Sequence, residues 1–357
     1  MSHPFTSELH EILLRVAGWL PDDVLTRARS TLADDRCADV ARLLAFAGRR
    51  NVLPLDEDDL DALAELLESE GLDPAVLDAM ELIPESSPLL WQFSPEWSSA
   101  GDGEGDEGAD GAMLISALAE QDLLAEIIEE PGVRGLWSAV RRPASGVPYP
   151  EPRVVYVAEV DDDADDVGEP AELSARFQDT LSAAGERDPQ VEVVSMHGAR
   201  PRYQRAAQLG GKLLWSPHED VEVRVARVFD EVDPDEGPRF APDHAKIPDE
   251  DERARLVEYL ETGTELLVTT GTMADIVDPA QASVVPMNFR TDGTWVWTDT
   301  VTYYLRTHHL APDPELLEHI REVGGPPSPL DTVTLGRAMA ALEPSQDNEP
   351  VWTSSPA

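Results

Sequence analysis

Several short stretches of the sequence carry side chains that could do chemistry. Ser195-Met196-His197-Gly198 sets a hydroxyl two residues from an imidazole, the pair that acyl transfer uses when a base deprotonates a serine. A nucleophilic serine also needs a sharp elbow and an oxyanion hole, and the flanking residues spell neither. Leu209-Gly210-Gly211-Lys212 resembles a phosphate loop superficially. The spacing Gly-x-x-x-x-Gly-Lys-Ser/Thr is absent, and Leu213 follows the lysine. Thr269-Thr270-Gly271-Thr272 could cradle an anion through backbone amides, with Asp275 and Asp278 beside it as acid–base groups. His308, His309 and His319 form a local histidine cluster, to which a zinc site would add Asp313 or Glu315. Adjacent helical residues point about 100° apart, so His308 and His309 do not naturally share one metal.

Two further features are set aside on physical grounds. Cys37 is the sole cysteine, so neither an intramolecular disulfide nor a cysteine-based zinc cluster can form. No base lies near it in sequence, and it reads as a small buried hydrophobe. Residues 101–111 hold five carboxylates and five glycines. Their glycines do not fit a calcium loop and no aligned glutamate closes one, so the stretch reads as a flexible linker. The sequence therefore nominates no catalytic residue, no cofactor-binding residue and no metal ligand, and no cofactor.

The elements that would position any site follow from the hydrophobic pattern. Residues 1–96 read as an all-helical module: Leu9, Ile12, Leu13, Val16 and Leu20 follow helical spacing up to Pro21. A second helix opens at Asp22, a third carries Val40, Leu43, Leu44 and Phe46, and a fourth opens after Pro54 with its carboxylates at the positive end of the helix dipole. Asp73-Pro74 begins a short fifth. Residues 97–112 are the acidic, glycine-rich linker. Residues 113–235 read as a helix, extended to about 140, followed by a mixed α/β module with strands at 154–157, 191–194 and 221–225. Residues 236–325 form an α/β module, and 326–357 a Pro/Ser-rich tail with one short helix around Leu335 to Leu342. The fold class expected is α+β, an N-terminal helical module followed by mixed α/β modules that end in a β-hairpin–helix–helix unit.

That last unit has the clearest local logic. Leu266 to Thr270 and Val284 to Arg290 read as strands, and Thr291-Asp292-Gly293-Thr294 as a hairpin turn, because Asp-Gly accepts positive φ angles. Trp295-Val296-Trp297 returns with both indoles on one face. Thr298 or Asp299 can cap a helix through His308, and Asp313-Pro314 begins another. Arg290, Trp295, Trp297 and Tyr303 are the candidate partner-binding residues, since aromatic and arginine side chains give large contact area. The competing reading of the aromatics is a core in which a helix packs onto the hairpin.

Charge narrows the partners. With 71 acidic against 27 basic residues the formal charge is −44, which repels nucleic-acid phosphates and anionic lipid heads. The expected partner is therefore a protein, basic if the acidity steers it, with no nucleic acid and no membrane. Acidic residues occur along most of the chain, which also fits a simple solubility role. No apolar stretch reaches membrane-span length and Met1 to Phe5 lack a signal-peptide pattern, so a cytoplasmic location is expected.

Phe289 to Trp297, continuing through Tyr303-Tyr304-Leu305 to Ala311-Pro312-Asp313-Pro314-Glu315-Leu316-Leu317, resembles the C-terminal part of uncharacterised proteins from high-GC Gram-positive bacteria. Some similar short proteins look like immunity or accessory proteins of toxin systems. The resemblance spans about sixty residues and brings no catalytic residues with it. The function expected is a non-enzymatic binding or regulatory protein, of an immunity or accessory kind if the resemblance holds. The alternatives are an enzyme using carboxylates near 269–278, or a structural component of a larger assembly.

Overall fold

The computed structural model describes residues 4–95, 107–145, 150–164, 166–198, 200–217, 222–233, 236–281 and 283–342, without the side chains of 107–116. The chain divides into two units, Met1–Pro217 and His218–Ala357. Both mix helices with small sheets, an α+β architecture.

Unit 1 begins with α1 (Thr6–Arg15), α2 (Asp22–Ala33) and α3 (Cys37–Gly48), then β1 (Val52–Leu53), α4 (Glu57–Ser69), a 3-10 turn at Pro74–Val76 and β2 (Glu81–Leu82), which pairs with β1 in parallel. Each start has a local cause. Asp56 and Asp59 form a capping box at α4, and the Asp73 carboxylate accepts from the Ala75 amide. Next come β3 (Trp91–Ser94), α5 (Glu107–Glu129), β4 (Val133–Pro143), β5 (Arg153–Val160), α6 (Pro170–Ala183), β6 (Gln190–Ser195), α7 (Arg202–Gly210) and β7 (Lys212–Trp215). β4 and β5 are antiparallel, β5 and β6 are parallel with α6 crossing between them, and β3 and β7 share one edge of β4.

The expected boundaries at 96 and 235 differ from this organisation. Helices α1 to α4 share one hydrophobic core with Val155, Ala171 and Tyr203, so they complete the sheet layer instead of standing alone. Of the expected linker at 97–112, residues 97–106 lie outside the described residues and Glu107 onward is helix. The helix expected to run to about 140 ends at Glu129. Gly132 at φ +76° turns the chain, and Val133 to Pro143 become the long strand β4.

The two faces of β5 and β6 bury different chemistry. Tyr156, Ala158, Val160, Val191 and Val193 face an apolar core with α5 and α6. The alternate face of β6 carries Glu192, whose carboxylate takes Arg29 (2.6 Å) and Gln204 (2.8 Å), all three buried. Arg29 also donates to Gln178 (3.3 Å).

Beside this polar layer, buried His10 donates from Nε2 to the Val193 carbonyl (2.8 Å). Burial pushes its pKa down to about 4, against the pull of that carbonyl and with help from the Arg29 charge. The imidazole is therefore neutral in the fold, while the unfolded chain takes its proton near pH 6.5. The linked stability is complete above the unfolded value and is lost as pH falls from there to about 4, by about 3 kcal/mol in all. In His10→Gln, the loss in unit 1 between about pH 7 and about pH 4.5 should shrink by roughly 2–3 kcal/mol. Urea denaturation at the two pH values reads this, and equal losses in both proteins would refute it.

Unit 2 comprises β8 (Arg224–Val225), a small antiparallel pair of β9 (Glu231–Asp233) and β10 (Gly237–Arg239), and α8 (Glu250–Thr262), capped by Asp249. It continues with β11 (Thr264–Leu267), β12 (Thr272–Met273), β13 (Val285–Pro286), β14 (Phe289–Thr291) and β15 (Trp295–Thr298), then α9 (Asp299–His308), α10 (Pro314–Val323) and α11 (Thr332–Ala340). Its sheet has the order β11-β14-β15-β8, and β12 pairs with β13 alone. The hairpin–helix–helix order stands as expected. The strand expected over 284–290 is interrupted into β13 and β14, and the one expected over 221–225 is short, with Val221 outside the described residues. No described helix is long and apolar enough to cross a membrane.

Candidate functional site

The hairpin of unit 2 is held by its own turn. Gly293 sits at φ +91°. The Asp292 Oδ1 accepts from the Thr294 and Trp295 amides, both at 2.8 Å, and Thr291 Oγ1 accepts from Gly293 and donates to the Trp295 carbonyl. The other oxygen of Asp292 takes the Tyr259 hydroxyl (2.6 Å) and His319 Nε2 (2.7 Å), so the same carboxylate ties the turn to α8 and α10.

A second clamp repeats the chemistry. The Asp275 side chain is fully buried. Its Oδ2 takes His308 Nε2 (2.6 Å) and the Tyr303 hydroxyl (3.0 Å), and its Oδ1 takes the amides of Val277 and Asp278. Burial alone would raise this carboxyl, but the hydrogen bonds from His308, the two amides and Tyr303 outweigh it and hold it below the ordinary carboxylate value. Burial and the Asp292 carboxylate push the Tyr259 phenol up, so it stays a donor. An Asp–His pair supplies two of the three members of a nucleophile-activating triad. Among the described residues, however, neither imidazole meets a hydroxyl or thiol on its other nitrogen. The two clamps fasten loops to helices.

The four candidate residues are engaged inside the unit. Arg290 donates to Asp299 (2.7 Å), Glu265 (3.0 Å) and the carbonyls of Glu261 and Gly263, which fastens the end of α8 to the start of α9. Trp295 and Trp297 are 5% and 0% exposed, and both belong to the core of the unit, where α8, α9 and α10 pack on the hairpin. Tyr303 is half-buried on Asp275. Asp299, expected as a possible cap, uses its carboxylate on Arg290 and Asn288 instead.

The other chemical candidates are also committed. Ser195 Oγ donates to Asp162 and accepts from the amides of His197 and Gly198, while His197 lies 3.4 Å from Asp161. The serine thus meets a carboxylate and two backbone amides, and the His197 imidazole turns to Asp161 instead of the hydroxyl. Gly210 and Gly211 end α7, the negative end of a helix dipole, which repels phosphate. A Cβ on Gly211 would lie 2.4 Å from the Ser138 carbonyl, so close packing explains that glycine. Burial pushes the Cys37 thiol up. Among the described residues no group of three His, Cys, Asp or Glu side chains is arranged to hold a metal ion. A shallow groove of about 480 Å³ lies along α8 and reaches Arg306, away from 269–278.

What remains open is the outer strand. β11 is an edge of the sheet, and every residue from Leu267 to Thr272 is exposed, Val268 by 65%. Val277 and Val284, on the same irregular hairpin, are exposed as well. α11 packs on β11, but Thr334 and Leu330 lie against Gly293, at the turn end where Thr264 pairs with Thr291. Leu267 stands at the opposite end of the strand and Val268 just beyond it, so the strand expected over 266–270 stops at Leu267. Sequence reading saw a strand here but looked to the tryptophans, because only the tertiary fold decides which apolar residues stay outside. No protein-family profile matches the chain, and no curated protein or solved structure matches it either.

Proposed function

We propose that the chain is a non-enzymatic binding or regulatory protein that works in the cytoplasm on a protein partner. The observation that carries this reading is the exposed run from Leu267 to Thr272, which leaves the end of the edge strand β11 and reaches β12. Open edges with outward apolar side chains invite either aggregation or a partner strand, and exposed apolar patches mark interaction surfaces. The internal engagement of Ser195, Asp275, His308 and His319 supports it from the other side, since neither of these imidazoles is bonded to a hydroxyl nucleophile. The charge of −44 suits a basic partner drawn in by steering. The narrower role of immunity-type or accessory inhibitor draws on the resemblance of residues 289–317.

The test is affinity purification of the whole chain at low and high salt, with Leu267→Glu/Val268→Glu alongside. One protein should co-purify with the natural chain under both conditions. The double variant, with unchanged circular dichroism and melting, should capture about tenfold less or worse, the size of a hot-spot loss of about 2 kcal/mol. Equal capture by both chains, or no stable partner under either condition, would remove the reading.

A further inference from the structure

The outward face of α3 and the turn that follows it gather arginines around an exposed ring in unit 1. Arg42, Phe46, Arg49 and Arg50 recur at helical spacing on the side opposite the buried Val40, Ala41, Leu44 and Ala45. Phe46 is 64% exposed, and the Arg50 guanidinium lies 5.6 Å from its ring centre. Arg36 and Arg42 share Asp39. Arg49 and Arg50 have no ion pair with any described residue. Two adjacent exposed arginines without a carboxylate thus stand beside an exposed phenylalanine. Exposed Val52 follows in β1, where Glu81 of β2 pairs with it.

We infer that this face docks an acidic, extended segment of a second protein, one that offers carboxylates to Arg49 and Arg50 and an apolar side chain to Phe46. The argument is charge complementarity. Planar guanidiniums bind carboxylates in a bidentate way, and an exposed aromatic ring supplies contact area at low entropic cost. The patch from Arg42 to Arg50 covers the last turns of α3 and the turn after it, about 12 Å at helical rise, which suits a few residues of peptide. A nucleic acid carries a charge about every 1.7 Å and needs a longer basic track, whereas Asp39 and Glu81 border this one. At physiological salt, charges beyond about 8 Å are largely screened, so the local arginines act on a short ligand despite the net charge. This surface is separate from the strand edge in unit 2 and does not depend on it.

The test is fluorescence anisotropy on the full chain at about 0.15 M salt. The probe is a labelled ten-residue peptide of glutamates and aspartates around one tryptophan, compared with a peptide carrying glutamine and asparagine instead and with an oligothymidylate. The natural chain should bind the acidic peptide saturably and the neutral one at least about tenfold more weakly, the scale of a lost charged hydrogen bond. Arg49→Glu/Arg50→Glu and Phe46→Ser should each weaken it, the first by at least about tenfold. If the charge-reversed protein fails to fold by circular dichroism, Arg49→Gln/Arg50→Gln replaces it. No binding by the natural chain, equal binding by the variants, or tighter binding of the oligothymidylate overturns the inference. So does a dimer in light scattering that the arginine variant dissolves, because the face would then join two copies.

Discussion

Arg29→Met should destabilise unit 1 by about 3–5 kcal/mol, because it leaves a buried carboxylate without its cation. Arg29 is 1% exposed and Glu192 0%, and their contact is 2.6 Å. Methionine keeps much of the length of the arginine stem, so the loss reports charge more than volume. Glu192 would keep only the Gln204 amide, at 2.8 Å, and no water can replace the guanidinium without opening the core. Removing both charges should behave differently. In Arg29→Met/Glu192→Leu neither ion is buried, and replacing a buried pair by apolar residues is often neutral or better. Gln178 and Gln204 then lose partners, at about 1–3 kcal/mol for each unsatisfied group, so recovery should be partial. Two units need not unfold together. Hydrogen exchange in peptides covering 190–195, compared with peptides covering 295–305, assigns the loss to unit 1. A single variant that loses less than about 1 kcal/mol, or a double variant no more stable than the single, would show that the pair is dispensable.

How much of this was legible in the sequence depends on how far each cause reaches along the chain. Asp292-Gly293 announces its turn because the carboxylate bonds to amides two and three residues on. Asp73-Pro74 announces a helical turn for the same local reason. Trp295 and Trp297 share a face because strand period is local. The interrupted strand at 284–290 was not legible, since Asn288 leaves the ladder to bond the Thr269 amide and Asp299. α8 had its signals, Asp249 as cap and Leu256, Tyr259 and Leu260 at helical spacing, in a stretch dominated by charge. The role of Arg290 was out of reach: its partners Glu261, Gly263 and Glu265 lie 25 to 29 positions away. The same holds for Arg29 and Glu192, which are 163 positions apart.

The two surfaces and the core of unit 2 also differ in what a substitution would reveal. Leu267, Val268, Phe46, Arg49 and Arg50 are exposed, so their replacement tests binding with little effect on folding. Trp295 and Trp297 are buried, so their replacement tests the fold.

Trp297→Ala should therefore act on stability, with a loss of about 3–5 kcal/mol in unit 2. The indole is 0% exposed, packs against Tyr259 at 6.0 Å between ring centres, and donates to the Leu260 carbonyl at 3.1 Å. Alanine would leave a cavity between the hairpin and α8 and an unpaired carbonyl at the end of that helix. Trp297→Phe should lose less, since most of the volume is kept and only the donor goes. A complementary variant approaches the contact from the other side. A Cβ on Gly263 would lie 2.4 Å from Trp297 Cζ2 and 3.3 Å from the Thr291 carbonyl, so Gly263→Ala should cost about 1–3 kcal/mol by overpacking. Because the two residues are in contact, their effects should not add: alanine at 297 removes the ring that alanine at 263 strikes, and Gly263→Ala should be nearly silent in that background. Hydrogen exchange of β15 and α9 peptides, with thermal melts, measures all four proteins. If Trp297→Ala melts like the natural chain but no longer captures the partner, the indole is a contact residue and the core assignment fails.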